Sequence, residues 1–414
     1  MSAHTHISSS AAPIPDGDAL AKRNALVLAV ALALGGSSPA IVVSLGGLVG
    51  QSLASNKEFA TLPVSLLNLG LALGTIPAAM LMRRAGRRIG YIVGAAIGLF
   101  GGCLAAFGIT SFSFMLFCIG TLIIGMYGSF NQSYRFAATD SASEAFKPRA
   151  ISWVMSGGLA AGIIGPQTVI WTRIWTRDAV ETAPFSGAFL GQAVLAFLSM
   201  IVVSFLRPAP VIVAPSGSSG GRPLLEIMRQ PRFIVAAVTG LVSYSLMSFV
   251  MTAAPLAMIG CGHPVGAAAL GIQWHILAMF GPSFFTGRLI GRFGKGRVTA
   301  AGLVLIAVSA LVGLSGITIA HFWITLILLG VGWNFGFIGA TALVTECYRP
   351  EERTKVQAAN DFLVFGSVAA ASFSAGQLLN GGGWDSVNWL VFPPVLVALV
   401  LLSWQGRAKF PAAA

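Results

Sequence analysis

Twelve stretches of mostly apolar residues punctuate this chain, at 25–50, 58–82, 89–109, 112–134, 150–171, 185–206, 233–258, 265–287, 298–317, 321–345, 356–379 and 387–405. Each is close to the ~20 residues that a bilayer-crossing helix needs. Polar residues gather in short segments between them, and the alternation that marks barrel strands is absent. The pattern predicts an all-α membrane protein with twelve transmembrane helices, numbered here as spans one to twelve. Residues 1–23 are polar and include Asp16 and Asp18. A cleavable signal would begin basic and continue apolar, so this segment reads as a tail. An even number of spans then puts both termini on one side.

Composition narrows the class further. Of 414 residues, 56% are hydrophobic and 9% are charged, against about 25% charged in soluble domains. The 50 glycines suit helices that approach closely in lipid. Soluble enzymes, zinc modules and nucleic-acid binders are excluded, and no catalytic set, cofactor motif or metal-ligand spacing is expected. Cys103, Cys118, Cys261 and Cys347 have no metal spacing and are expected to form no disulfide. No Gly-rich phosphate loop followed by Lys-Ser/Thr occurs, so ATP is not the expected energy source.

The net charge of +12 is explained by position rather than by a nucleic-acid partner. Of the 25 basic residues, 22 lie on the side holding the termini; only Lys57, Arg173 and Arg177 lie on the other. The positive-inside rule makes the crowded side cytoplasmic, with attraction to anionic lipid as a by-product. Residues 207–232 carry Pro208, Pro210, a Ser/Gly run and four arginines. They read as a cytoplasmic linker between two six-helix bundles at 24–206 and 233–405, flanked by tails at 1–23 and 406–414.

The halves echo each other. Arg83, Arg84, Gly86, Arg87 and Arg88 follow span two, while Gly291, Arg292, Gly294, Lys295 and Arg297 follow span eight, 208 residues on from Gly86 to Gly294. Parallel six-span repeats with a site near the midplane describe one large transporter architecture. At these residues the chain resembles the major facilitator superfamily, whose loop signature is Gly-x-Leu-x-Asp-Arg-x-Gly-Arg-Lys. Leu81, Arg84, Gly86, Arg87 and Arg88 match it; Ala79 and Arg83 stand at its first Gly and its Asp. The second copy keeps Gly287, Leu289, Arg292, Gly294 and Lys295, with Gly291 at the acid. Gly158, Gly162, Gly165 and Pro166 resemble the family's exporter signature in span five, although the span-four Arg of proton antiporters is Thr121 here. Their physical role is either close packing and a bend or a part in setting transport direction.

Ionisable groups inside a span are expensive and point to function. Asp361, about a turn and a half into span eleven, is the one acid so placed, and two roles are open to it. It could be a proton site, or a helix-end cap or latch, specifically to Arg83, which stands where the family has its acid. His275 in span eight has the same two kinds of reading, solute or proton work against a hydrogen bond to a neighbouring helix. Arg173, Arg177, Asp178 and Glu181 beyond span five read as a surface ion pair or, alternatively, as an anion-attracting mouth.

The resemblance implies that spans one, four, seven and ten line the cavity, with two, five, eight and eleven completing its gates. On those spans lie Asn68, Tyr127, Asn131, Gln132, Trp153, Gln167, Tyr244, Gln273, Trp274, Trp333, Asn334, Gln357 and Asn360. Amides and aromatic rings without a midplane Lys or Arg suit a neutral planar or amphipathic solute. The expectation is a monomeric, proton-coupled secondary transporter of a small organic solute in a bacterial inner membrane, with export ahead of uptake. Uptake of a vitamin-like aromatic such as riboflavin is the alternative, followed by an uncoupled facilitator and, outside transport, a membrane sensor or scaffold.

Overall fold

The computed structural model describes residues 17–143, 146–175, 185–207, 221–349 and 352–407. Arg177, Asp178, Glu181, most of the linker and the outer parts of both tails fall outside the described residues. Nine helical stretches there are long and apolar enough to cross a membrane, ten with one bent pair. Two of them, Lys57–Thr110 and Lys355–Gln405, run to 54 and 51 residues. Each is long enough to cross twice, which brings the count to the twelve spans expected.

Span one is α1 (Gly17–Gly35) followed by α2 (Ser38–Leu53), interrupted at Gly36–Ser37, and α3 (Leu62–Thr110) holds spans two and three. Span four is α4 (Phe114–Gln132), continued by a short α5 (Tyr134–Ala137); spans five and six are α6 (Lys147–Trp175) and α7 (Ser186–Ser204). After α8 (Leu224–Met228) on the linker, span seven is α9 (Pro231–Gly260). Span eight is α10 (Val265–Phe280) with α11 (Ser283–Phe293), bent by 42° at Gly281–Pro282. Spans nine and ten are α12 (Lys295–Ser315) and α13 (Ile319–Val344), and α14 (Arg353–Trp389) with α15 (Phe392–Arg407) make up eleven and twelve.

Glycines set the closeness of the packing. A Cβ on Gly125 of span four would lie 2.0 Å from the Leu67 carbonyl of span two, and one on Gly302 of span nine 2.2 Å from the Gly336 nitrogen of span ten. Any larger residue would force these pairs apart, and backbone approach of this kind is how helices associate where lipid removes the hydrophobic drive. Large side chains such as Phe100, Met115, Trp171 and Leu396 point outward and exposed, as a surface solvated by lipid tails requires.

At the end carrying the arginine-rich loops, the repeat reappears as matched ion pairs. Arg87 binds Asp140 with both its Nε and its Nη2, the latter at 2.9 Å, and Lys295 binds Glu346 at 2.8 Å. Each pair ties the loop after the second span of a half to the segment after its fourth. Near them the linker is fastened to the second half: Arg222 forks onto Glu352 through Nε at 3.0 Å and Nη2 at 2.8 Å. The backbone N–H groups of Arg222 and Arg349 also donate to that carboxylate.

Candidate functional site

The two halves touch at the end remote from the arginine-rich loops, and they do so through uncharged groups. Thr61 Oγ1 donates to the Phe373 carbonyl at 3.1 Å, and Asn68 Nδ2 to Ser372 Oγ at 3.0 Å, joining span two to span eleven. Gln167 Nε2 donates to Gln273 Oε1 at 2.9 Å between spans five and eight. Gly162 makes that last crossing possible, since a Cβ there would press on Ile276 Cγ2 at 2.5 Å.

Below this closure, towards the basic end, lies a cavity of about 210 Å³ walled by both halves. The first half contributes Gly36, Pro39, Asn68, Gly128, Asn131, Gln132, Arg135, Gly158 and Gly162; the second contributes Tyr244, Met247, Ser248, Met251, Ile276, Met279 and Phe280. Glycines give one wall a flat face, and thioethers and rings make the other soft and apolar. Tyr244 is fixed from behind by edge contacts with Trp333, Phe337 and Phe365 at 5.3, 4.9 and 5.9 Å. The lining carries one charge, Arg135, and no carboxylate.

Arg135 brings one basic residue to the cavity, at its mouth rather than at midplane depth. The helical path continues past Gln132 into α5, carrying Arg135 round to the mouth, exposed and with its guanidinium over the Phe136 ring at 4.9 Å. Across the mouth it attracts Asp361, and the Tyr244 side chain lies in the field of both. Arg83, by contrast, is exposed on its loop, so the charge facing Asp361 comes from the end of span four instead. Arg84 and Arg88 are likewise exposed, and Arg292 lies over Phe293 at 5.3 Å.

Of the cavity residues expected from sequence, Asn68, Asn131, Gln132 and Tyr244 line it, as do Gly158 and Gly162 of the span-five motif. The others sit elsewhere. Tyr127 is buried within the first half and donates to Ser199 Oγ at 3.1 Å. Trp153 stands against Phe146 at 5.6 Å, and Trp274 is exposed. Trp333 lies behind Tyr244, and Asn360 flanks Asp361. Gly165 meets span one, where a Cβ would lie 2.7 Å from Ala40, and Pro166 lies inside α6 without ending it.

Asn334 and His275 face into the second half. Asn334 donates to the Met279 carbonyl at 2.6 Å and to Ser283 Oγ at 2.7 Å, and accepts from Thr286 Oγ1 at 2.5 Å. The bend at Pro282 costs span eight regular hydrogen bonds, and Asn334 satisfies a carbonyl exposed by it. His275 is buried with Nδ1 2.7 Å from the Leu326 carbonyl. Sequence reasoning missed Met247, Met251, Met279 and Phe280, because apolar wall residues carry no pattern that separates them from core.

The family model described as Major Facilitator Superfamily matches residues 25–282 and 267–412. The chain is 59% identical over 394 residues, 95% of this chain and 98% of the relative, to the riboflavin transporter RfnT of Brucella anthropi. It is 31% identical to the MFS-type transporter YdeG of Bacillus subtilis over 94% of this chain and 93% of that one. Among solved structures, the nucleoside transporter NupG superposes with a TM-score of 0.71 at 12% identity, covering 94% of this chain and 100% of that chain. The xylose transporter XylE of E. coli gives 0.72 at 12% identity, over 94% and 98%. Paired loops after spans two and eight, a cavity between two halves and these matches along almost the whole chain agree: this multi-pass membrane protein belongs to the major facilitator superfamily of transporters.

Proposed function

We propose that this chain carries riboflavin into the cell by alternating access. The observation that carries the reading is the 59% identity, over 95% of the chain, to a riboflavin transporter. The cavity supports it independently. A flat, glycine-walled slot faced by Tyr244 and three methionines suits a planar ring, and Asn68, Asn131 and Gln132 offer hydrogen bonds to polar substituents. Uptake takes precedence here over the export that the span-five glycines favour in the sequence.

The arginine-rich end is cytoplasmic, in an inner membrane, so the conformation described is the one open to the cytoplasm. Asp361 is the proton-coupling group: when neutral it releases Arg135 and lets the cytoplasmic end open; when ionised it draws that end shut. The test is uptake of radiolabelled riboflavin by a riboflavin auxotroph expressing the chain. Growth on micromolar riboflavin and uncoupler-sensitive accumulation support the reading. Unchanged growth requirement and no labelled uptake overturn it. Accumulation that ignores uncouplers and survives Asp361→Asn removes the proton from the mechanism and leaves a facilitator.

A further inference from the structure

Among the amide side chains between spans, Asn131 is set apart. Asn24, Asn68, Gln167, Gln192, Asn334 and Asn388 each spend at least one side-chain atom on a protein partner. Asn131 has neither atom in a well-formed hydrogen bond: its Oδ1 and its Nδ2 are both buried, and the protein group in its reach is the Tyr127 hydroxyl oxygen. It is 6% exposed and forms part of the cavity wall. Tyr127, one turn earlier on the same helix, has already committed its hydroxyl hydrogen to Ser199. A buried carboxamide short of full partners is costly, and a solute in the cavity that Asn131 walls can complete it.

The shape around it limits what that is. A carboxamide offers an acceptor and a donor side by side, so its complement is a ring edge with an N–H next to a C=O. Gly128, one turn before Asn131, keeps its wall flat, and a Cβ there would meet only Leu71, at 3.3 Å. Tyr244 stands on the other wall, and Met247, Met251 and Met279 form an apolar part of the same cavity. A flavin ring has that polarity along its length, with a pyrimidinedione edge at one end and a methylated benzene at the other. Resting on the riboflavin reading above, we infer that Asn131 is the specificity-determining residue of the cavity: it reads the N–H and C=O edge of a flavin whose ring lies against Tyr244 and whose methyl groups reach the methionines.

The experiment titrates purified full-length protein in detergent with riboflavin and with N3-methylriboflavin, in which the edge N–H is blocked, following quenching of flavin fluorescence. Wild type and Asn131→Leu are compared after each elutes as a single species on gel filtration. The expected result is that wild type prefers riboflavin tenfold or more, and that Asn131→Leu binds both flavins equally, with riboflavin weakened to the level of the methylated one. Equal binding of the two flavins by wild type overturns the inference and needs no variant. So does a variant that keeps the preference, whatever its stability, since Asn131 is then structural. Wild type that binds neither flavin overturns the riboflavin reading itself, which separates the two failures.

Discussion

Gly86 and Gly294, 208 residues apart, adopt one backbone conformation: φ 81° and ψ 162° at the first, φ 87° and ψ 152° at the second. This region is open essentially to glycine alone. Each turns the chain between two antiparallel spans and is followed by the cation, Arg87 or Lys295, that closes an ion pair. The repeat is thus preserved in backbone geometry as well as in charge.

An alanine at either position would touch nothing, since no atom lies within 4 Å of the Cβ site. The whole effect is therefore torsional. Gly86→Ala and Gly294→Ala are each expected to lose about 1–3 kcal/mol, read as a lower melting temperature in detergent. Gly291→Ala, inside α11 with equally open space and ordinary φ, is expected to be neutral or to stabilise. Equal effects at Gly294 and Gly291 would refute the torsional account.

Asn334 makes a different kind of prediction. Replacing it by Leu leaves the Met279 carbonyl and Ser283 hydroxyl without their partner at the elbow of span eight. An unsatisfied buried group costs about 1–3 kcal/mol, so Asn334→Leu is expected to lower the melting temperature by several degrees. Asn334→Asp, which keeps the acceptor for Thr286 but loses the donor, should lie no higher than wild type. A melting curve for Asn334→Leu that overlays wild type would remove Asn334 from the support of the bend.

The Arg222 guanidinium, through its hydrogen bonds, holds the Glu352 carboxyl well below the usual carboxylate range. A carboxyl depressed in the folded state contributes stability that is present above its unfolded value of about 4.3 and is lost as pH falls through the folded value. Glu352→Gln is therefore expected to melt below wild type by the same margin at pH 7 and pH 5. The margin, about 1.5–3 kcal/mol for a hydrogen bond to a charged group, should narrow only below about pH 4. A margin that already closes between pH 7 and pH 5 would show that another group sets the dependence.

Arg135 and Asp361 face each other across the mouth of the cavity. If their attraction closes that end during the cycle, Arg135→Asp and Asp361→Arg each reduce riboflavin uptake at least tenfold, and the double exchange recovers a measurable part. Double-mutant coupling of this kind isolates the pair from its surroundings. Two independent losses without recovery would mean that each acts alone.

The spans were legible because lipid demands long apolar runs whatever the tertiary detail, and the paired loops because glycine and arginine recur at a fixed offset. Span one is less regular than its overall hydropathy implied, interrupted at Gly36–Ser37 within the Gly-Gly-Ser-Ser-Pro run at 35–39. Within the site, Asn68, Asn131 and Tyr244 were visible as polar or aromatic residues on spans expected to face inward. Trp333 and Asn334 have the same chemistry on the same kind of span yet face the second half. Sequence gives residue type and depth, but helix rotation decides which face meets the cavity. Arg135 was not read as cavity wall for a related reason, since four more helical residues beyond Gln132 and Ser133 carry it there.

The closure remote from the arginine-rich loops rests on amides, hydroxyls and a carbonyl: Asn68 to Ser372, Gln167 to Gln273, Thr61 to Phe373. Dipoles of this kind interact only at contact and are little affected by dissolved ions, whereas unit charges at an open mouth feel a Debye length of about 8 Å at physiological ionic strength. The two ends thus answer to different solvents. Salt on the side of Arg135 and Asp361 weakens the attraction available there, while salt on the other side finds no charge to screen in these three links. Through these links, the balance between the carrier's two faces becomes a quantity that ionic strength on the Arg135 side shifts more than ionic strength on the other.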